Sequence, residues 1–148
     1  MKILITGGAG FVGGSLARSF LAQGYEVVLL DNLRRRGTET TLNALREAGA
    51  QFVHGDVRCI DDLNSLQGSF DLMIEASAEP SVHAGMGESP RYVLDTNLGG
   101  AINCLEFARN RCGALIFLST SRVYSLEPLR SIRLTDGQSR LDFDETAQ

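Results

Sequence analysis

The stretch LSTSRVYSLEPL, residues 118–129, gathers hydroxyl groups in one place: Ser119, Thr120 and Ser121 close an apolar run, and Tyr124 follows. Such a cluster suits oxidation of an alcohol with a nicotinamide cofactor. A tyrosinate removes the hydroxyl proton, and a lysine four residues after the tyrosine lowers its pKa by nearby positive charge. This chain has no such lysine. Tyr124 is followed at that spacing by Pro128, Tyr92 by Thr96 and Tyr25 by Leu29, and Lys2 is the only lysine among 148 residues.

A second chemical signal is ITGGAGFVGGSLA near the start. Gly8, Gly10 and Gly13 satisfy G-x-G-x-x-G, and Gly7, Gly10 and Gly13 satisfy G-x-x-G-x-x-G. Residues without a Cβ let backbone approach a pyrophosphate, and a helix opening at Phe11 and Val12 turns its N-terminal amides toward that anion. Asp31 ends the next apolar run, where a carboxylate accepts hydrogen bonds from adenosine ribose hydroxyls and repels a 2′-phosphate, favouring NAD over NADP. Arg34, Arg35 and Arg36 follow at once. They suit a 2′-phosphate, an anionic substrate, or a solvated surface loop. Asp56 and Val57 stand after a third apolar run; the carboxylate suits either the adenine amino group or the capping of a turn.

The elements that must position these residues alternate in kind. KILIT (2–6), EVVLL (26–30), QFVH (51–54), DLMIEA (71–76) and ALIFLS (114–119) read as strands, nearly continuous in apolar residues because both faces are covered. Between them, residues 11–23 place Val12, Leu16, Phe20 and Leu21 on one helical stripe, and residues 40–48 carry Leu42 and Leu45. A short helix over 61–67 has Asp61 as a candidate cap. Residues 91–111 carry Leu94, Leu98, Ile102 and Leu105 at helical spacing. This order predicts an α/β fold of the Rossmann type: a doubly wound parallel sheet of about five strands in the order 3-2-1-4-5, with a ligand crevice at the carboxyl ends of strands 1 and 4. Residues 1–124 read as the dinucleotide-binding domain, and 125–148 as a polar loop or tail.

Composition narrows the partners. A net charge of -4 argues against nucleic acid and membrane surfaces, and no run approaches the ~20 apolar residues of a membrane span. Cys59, Cys104 and Cys112 are an odd, scattered set, as for reduced thiols in the cytoplasm, with Cys104 inside a helical apolar pattern. His54 and His83 have no partners at metal spacing, so no metal site is expected.

Together TGGAGFVG (6–13), DNL (31–33), GDV (55–57), ASAEPSV (76–82), TNLGGAINCLEFA (96–108) and STSRVY (119–124) resemble the extended short-chain dehydrogenase/reductase family, the nucleotide-sugar epimerases and dehydratases. The SAEPSV and STSRVYS forms are most similar to its CDP-sugar 2-epimerase members, although many relatives have glycine where this chain has Ser125. The resemblance implies that Gly7, Gly10, Phe11, Val12 and Gly13 hold the pyrophosphate, Asp31 and Asn32 the adenosine ribose, and Asp56 and Val57 the adenine. It implies that Ala76, Ser77 and Ala78 line the nicotinamide half of NAD, that Asn97 organises the active site, and that Thr120 hydrogen-bonds the reacting sugar hydroxyl or ketone. It also implies a nucleotide-sugar substrate, expected to be a CDP-sugar, and pairing of two copies through helices that include 91–111. Because the tyrosine–lysine pair is absent, the chain is expected to be catalytically incomplete alone. The alternatives are a free-standing NAD-binding regulatory module and a fragment of a dehydratase or reductase. Ser121 and Arg122 count against dehydration, since dehydratase relatives place acidic residues there.

Overall fold

The structure, a computed structural model, describes residues 1–120 and 125–144. It divides into two units, residues 1–118 and 119–148. The first unit holds strands β1 (Lys2–Thr6), β2 (Glu26–Asp31), β3 (Gln51–His54), β4 (Leu72–Glu75) and β5 (Leu115–Phe117). All pair in parallel, in the order β3-β2-β1-β4-β5. This is the expected Rossmann-type order, in which the carboxyl ends of all five strands meet at one edge and the order reverses beside β1.

The sheet divides two cores. Leu4, Val28, Leu30 and Met73 face one side with Leu63, Phe70, Cys104 and Phe107. Ile3, Ile5, Val27, Leu29 and Ile74 face the other with Ala17, Leu42 and Leu45. Alternate residues of each strand thus enter opposite cores, the period of an extended chain. Residues 3–5 and 27–30 are apolar throughout because both faces of the central strands are covered.

Helix α1 (Phe11–Ala22) approaches the sheet through small residues. Its buried positions are Gly13, Gly14 and Ala17. Leu16, Phe20 and Leu21 only flank the core, and Val12 is exposed, so the expected stripe is displaced around the helix. Tight helix–sheet spacing requires the side facing the sheet to be small, and small residues carry no hydrophobic signal. Helix α2 (Thr38–Glu47) buries Leu42 and Leu45 as expected. Helix α3 (Ile60–Asn64) is capped at Cys59, and Asp61 lies in its first turn. The carboxylate that turns back on the preceding loop is that of Asp62, which accepts the Asp56 amide at 2.8 Å.

The region expected to be one helix from 91 to 111 is α4 (Arg91–Leu94), a π-helical segment (Asp95–Gly99) and α5 (Gly100–Arg111). Its expected core residues Leu94, Leu98, Ile102 and Leu105 are instead exposed. The buried face is Gly100, Cys104, Phe107 and Ala108. Contact with the sheet decides the facing, and Gly100 allows it: a Cβ there would meet Val57 Cγ2 at 2.7 Å. Cys104 is fully buried, and desolvation pushes its thiol up to about 12. Strand β5 is shorter than the apolar run 114–119 and lies at the sheet edge with Ile116 and Phe117 exposed.

In the second unit, helix α6 (Leu126–Ser131) precedes an antiparallel hairpin of β6 (Leu134–Asp136) and β7 (Leu141–Phe143). A loop or tail was expected there. The hairpin turn closes with Gly137 N–H donating to Arg140 O at 2.9 Å, and Arg140 pairs with Asp142 at 2.7 Å. Polar side chains that pair locally support such elements without an apolar pattern. No helix among the described residues is long and apolar enough to cross a membrane.

Candidate functional site

The carboxyl ends of β1, β2, β3 and β4 bring four loops to one edge. The first is the glycine turn. Gly7 has φ +64°, and a Cβ on it would meet Ala76 O at 2.7 Å and the Ser77 amide nitrogen at 2.8 Å. A Cβ on Gly13 would run into the Gly7 carbonyl. The turn is held by Gly10 N–H donating to Gly7 O at 3.0 Å, and α1 begins its ladder with Gly14 N–H to Gly10 O at 2.8 Å. The amides of Phe11, Val12 and Gly13 therefore precede the helix's own bonding, no side chain caps this end, and its first turn has no acidic residue. The result is a positive, backbone-lined cradle fitted to a pyrophosphate.

Asp31, at the end of β2, is nearly buried. Its Oδ2 accepts from Ala9 N–H at 3.0 Å and its Oδ1 from Leu33 N–H at 2.8 Å. One carboxylate thus ties the glycine turn to the loop after β2. Each oxygen retains acceptor capacity for a hydroxyl donor such as ribose. Leu33 has φ +52°, a left-handed residue that costs about 1–2 kcal/mol. The Leu33 N–H bond to Asp31 holds the residue in that conformation.

Asn32 and Asp56 join this loop to the one after β3. Asn32 Nδ2 donates to Asp56 Oδ2 at 2.9 Å, and Arg58 grips both carboxylate oxygens at 2.9 and 2.6 Å. The Arg58 hydrogen bonds, against the opposing effect of burial, hold the Asp56 carboxyl well below the usual carboxylate range. Val57 points into the core against Gly100, and its carbonyl accepts Asn103 Nδ2 at 2.8 Å. A pocket of about 430 Å³ opens beside Asp56, lined by Arg58, Cys59, Arg91, Asp95 and Gly99.

After β4, Ala76 N–H donates to Thr6 O at 3.1 Å and Ala78 is exposed. Ser77 is bound through both its amide, at 3.0 Å, and its hydroxyl to Glu75 Oε1. Glu75 is buried, and desolvation raises its pKa against the hydrogen bonds from Ser77 and Thr6. Asn97, in the π-helical segment, bonds both backbone groups of one residue of this loop. It accepts Glu79 N–H at 2.8 Å and donates to Glu79 O at 3.1 Å. The Glu79 carboxylate meets Arg35 Nη2 at 3.3 Å, so the loops after β2 and β4 are joined as well.

The structure therefore brings Gly7, Gly10, Phe11, Val12, Gly13, Asp31, Asn32, Asp56, Ala76, Ser77, Ala78 and Asn97 to one edge, with Val57 beneath it. Thr120 belongs to the second unit and is exposed; Ser121 and Tyr124 lie outside the described residues. Lys2, the one lysine, pairs with Glu26 at 3.4 Å where β1 and β2 begin, at the opposite end of the sheet. Sequence reasoning missed Glu75 and Glu79. Glu75 carried a signal, an acidic residue closing an otherwise apolar strand.

The profile of the NAD dependent epimerase/dehydratase family matches residues 3–140. The chain belongs to that family. Members similar to it include CDP-paratose 2-epimerase of Salmonella typhi, 35% identical over 130 residues, covering 84% of this chain and 38% of the relative. A dTDP-glucose 4,6-dehydratase of Streptomyces niveus is 29% identical over 135 residues, covering 86% of this chain and 40% of the relative. Among solved structures, Pal from Bacillus thuringiensis superposes with a TM-score of 0.76 at 31% identity, over 84% of this chain and 41% of that one. The UDP-glucose 4-epimerase of Stenotrophomonas maltophila, solved with bound NAD and formylated UDP-arabinopyranose, gives 0.72 at 27% identity, over 84% and 38%. The chain thus spans about two fifths of the length of these epimerase/dehydratase family members.

Proposed function

We propose that this chain is the NAD-binding portion of a nucleotide-sugar epimerase acting on a CDP-sugar at C2. The observation that carries the reading is the joint geometry of the Gly7–Gly13 cradle and Asp31. An uncapped helix N-terminus and a ribose-accepting carboxylate stand side by side, linked by the Ala9–Asp31 bond of 3.0 Å. The α1 amides bind the pyrophosphate, Asp31 and Asn32 orient the adenosine ribose, and Asp56 faces the adenine. Ser77, fixed by Glu75, and Ala78 lie beside the nicotinamide half. NAD, when bound, supplies reversible hydride acceptance, which lets a sugar carbon be oxidised and re-reduced on its other face. Thr120 holds the reacting hydroxyl through the resemblance. The similarity to CDP-paratose 2-epimerase is what supports the choice of a CDP-sugar and of C2.

In this reading residues 1–124 are the cofactor domain and 125–148 lead toward the sugar-binding region. The 148 residues alone do not turn over, because a positioned acid–base pair contributes about 10²–10⁴-fold and no Y-x-x-x-K is present. Calorimetric titration of the chain with NAD, followed by an epimerisation assay on CDP-sugars, tests both parts. Saturable NAD binding without turnover is expected. Absence of binding at millimolar NAD would sink the cofactor reading, and measurable epimerisation by the 148 residues would sink the incompleteness reading.

A further inference from the structure

Three arginines, Arg34, Arg35 and Arg36, come just after Asn32 and Leu33, close behind the carboxylate that would hold the adenosine ribose. The left-handed Leu33 and its 2.8 Å bond to Asp31 wrap this segment tightly around that carboxylate. Arg34 N–H is in turn held by Asn32 Oδ1 at 3.1 Å. The backbone thus holds the start of the arginine segment beside the carboxylate that would hold the ribose. A guanidinium there is a ready partner for a 2′-phosphate, since its planar fork matches phosphate oxygens.

Two of the three guanidiniums are nonetheless committed elsewhere. Arg35 pairs with Glu79 at 3.3 Å. Arg34 lies over the Tyr92 ring, its guanidinium carbon 4.5 Å from the centroid, and Arg58 approaches the same ring at 5.3 Å. Glu79 is a fixed partner. Asn97 bonds its backbone N–H and its carbonyl, its carboxylate also accepts Ser81 N–H at 3.0 Å, and only 16% of its side chain is exposed. Arg36 is exposed and has no ion-pair partner among the described residues.

We infer that Glu79 is a specificity-determining residue: by holding Arg35 on the β4 loop, with Tyr92 holding Arg34 in the same way, it keeps these two arginines off the 2′ position and strengthens the preference for NAD over NADP that Asp31 begins. The inference rests on the NAD-binding reading above. Its chemistry is a competition between carboxylate and phosphate for one guanidinium. Asp31 repels the phosphate directly, whereas Glu79 removes the cation that would offset that repulsion.

The test is titration of the 148-residue chain and its variants with NAD and with NADP at low ionic strength, read as the ratio of the two affinities. Glu79→Gln releases Arg35 and is expected to shift the ratio toward NADP by about five- to tenfold, the size of one charge-assisted contact near a surface. Adding Arg35→Ala to Glu79→Gln is expected to return the ratio to the wild-type value. Tyr92→Leu, which frees Arg34 and leaves Glu79 in place, is expected to move the ratio in the same direction and keeps the test decisive if Glu79→Gln folds poorly. Equal weakening of both cofactors would reduce Glu79 to a loop tether and overturn the inference. So would a shift that persists in the double variant, which would assign the effect to another arginine. A wild-type chain that binds no NAD would overturn the cofactor reading and this inference with it, whereas NAD binding with an unmoved ratio overturns the inference alone.

Discussion

Replacing Gly7 by alanine tests whether the glycine turn is required by conformation alone or by close approach. Gly7 and Gly24 both have positive φ, +64° and +78°. An alanine at either enters the left-handed region at about 1–2 kcal/mol. They differ in surroundings. Nothing lies within 4 Å of a Cβ built on Gly24, while one on Gly7 meets three backbone atoms of Ala76 and Ser77 at 2.7–2.8 Å. Backbone does not swing aside as a flexible side chain does, so the β1 and β4 loops must separate. Overpacking of this kind costs about 1–3 kcal/mol beyond the conformational term. Gly7→Ala is therefore expected to lose roughly 2–5 kcal/mol and Gly24→Ala roughly 1–2. At about 2–4 °C per kcal/mol for a chain of this size, the overpacking difference of about 1–3 kcal/mol should make Gly7→Ala melt roughly 2–12 °C below Gly24→Ala. Thermal denaturation followed by circular dichroism, with urea unfolding as a second probe, measures the gap. Equal melting temperatures would refute the claim that contact with the β4 loop, rather than φ, demands glycine at position 7.

Other expectations concern charge and the sheet edge. Asp56 has a folded pKa below its unfolded value, chiefly through Arg58, so its stabilising effect is complete above about pH 4 and is lost as pH falls toward the depressed folded value. Asp56→Asn should flatten that acid limb in a pH series of urea midpoints; an unchanged limb would remove Asp56 as its source. Glu75 behaves in the opposite sense. Burial raises its folded pKa, so its destabilising effect is absent below its unfolded value, about 4.3, and grows as pH rises through the folded pKa. Glu75→Gln should therefore gain stability relative to wild type at pH 7 and converge with it near pH 4, and a variant less stable at both pH values would contradict this. Ile116 and Phe117 are about half exposed on edge strand β5. Light scattering should show concentration-dependent association that Phe117→Lys reduces, since charge on an edge opposes pairing; a wild-type chain monomeric at high concentration would count against an adhesive edge.

Much of the fold was legible because the physics that forms it is local. Apolar runs such as KILIT and EVVLL declare strands covered on both faces, and their alternation with helical patterns leaves few topologies. The cradle was legible for a related reason: a turn that backbone must approach closely admits only glycine, so Gly7, Gly10 and Gly13 mark it in the chain itself. Asp31 was legible because its place at the end of β2 is a matter of counting.

Other features depended on which surfaces meet. The stripe through Leu94, Leu98, Ile102 and Leu105 has helical spacing, yet the sheet buries Gly100, Cys104 and Phe107. Helix α1 likewise packs through Gly13, Gly14 and Ala17 rather than through its larger side chains. Periodicity reports that a helix has faces, and contact decides which of them is inside. The partners of Arg35 and Arg58 differ for the same reason. Asp56 is two residues from Arg58 and could be suspected from sequence, whereas Glu79 is 44 residues from Arg35 and meets it only because β2 and β4 both flank β1. The sequence alone determined the five strands of the parallel sheet, the glycine turn after β1 and the carboxylate that ends β2, since each follows from residue type and short-range spacing. Only the tertiary structure decided which helix faces are buried and where the arginines go, because those depend on distances between segments that the chain order does not contain.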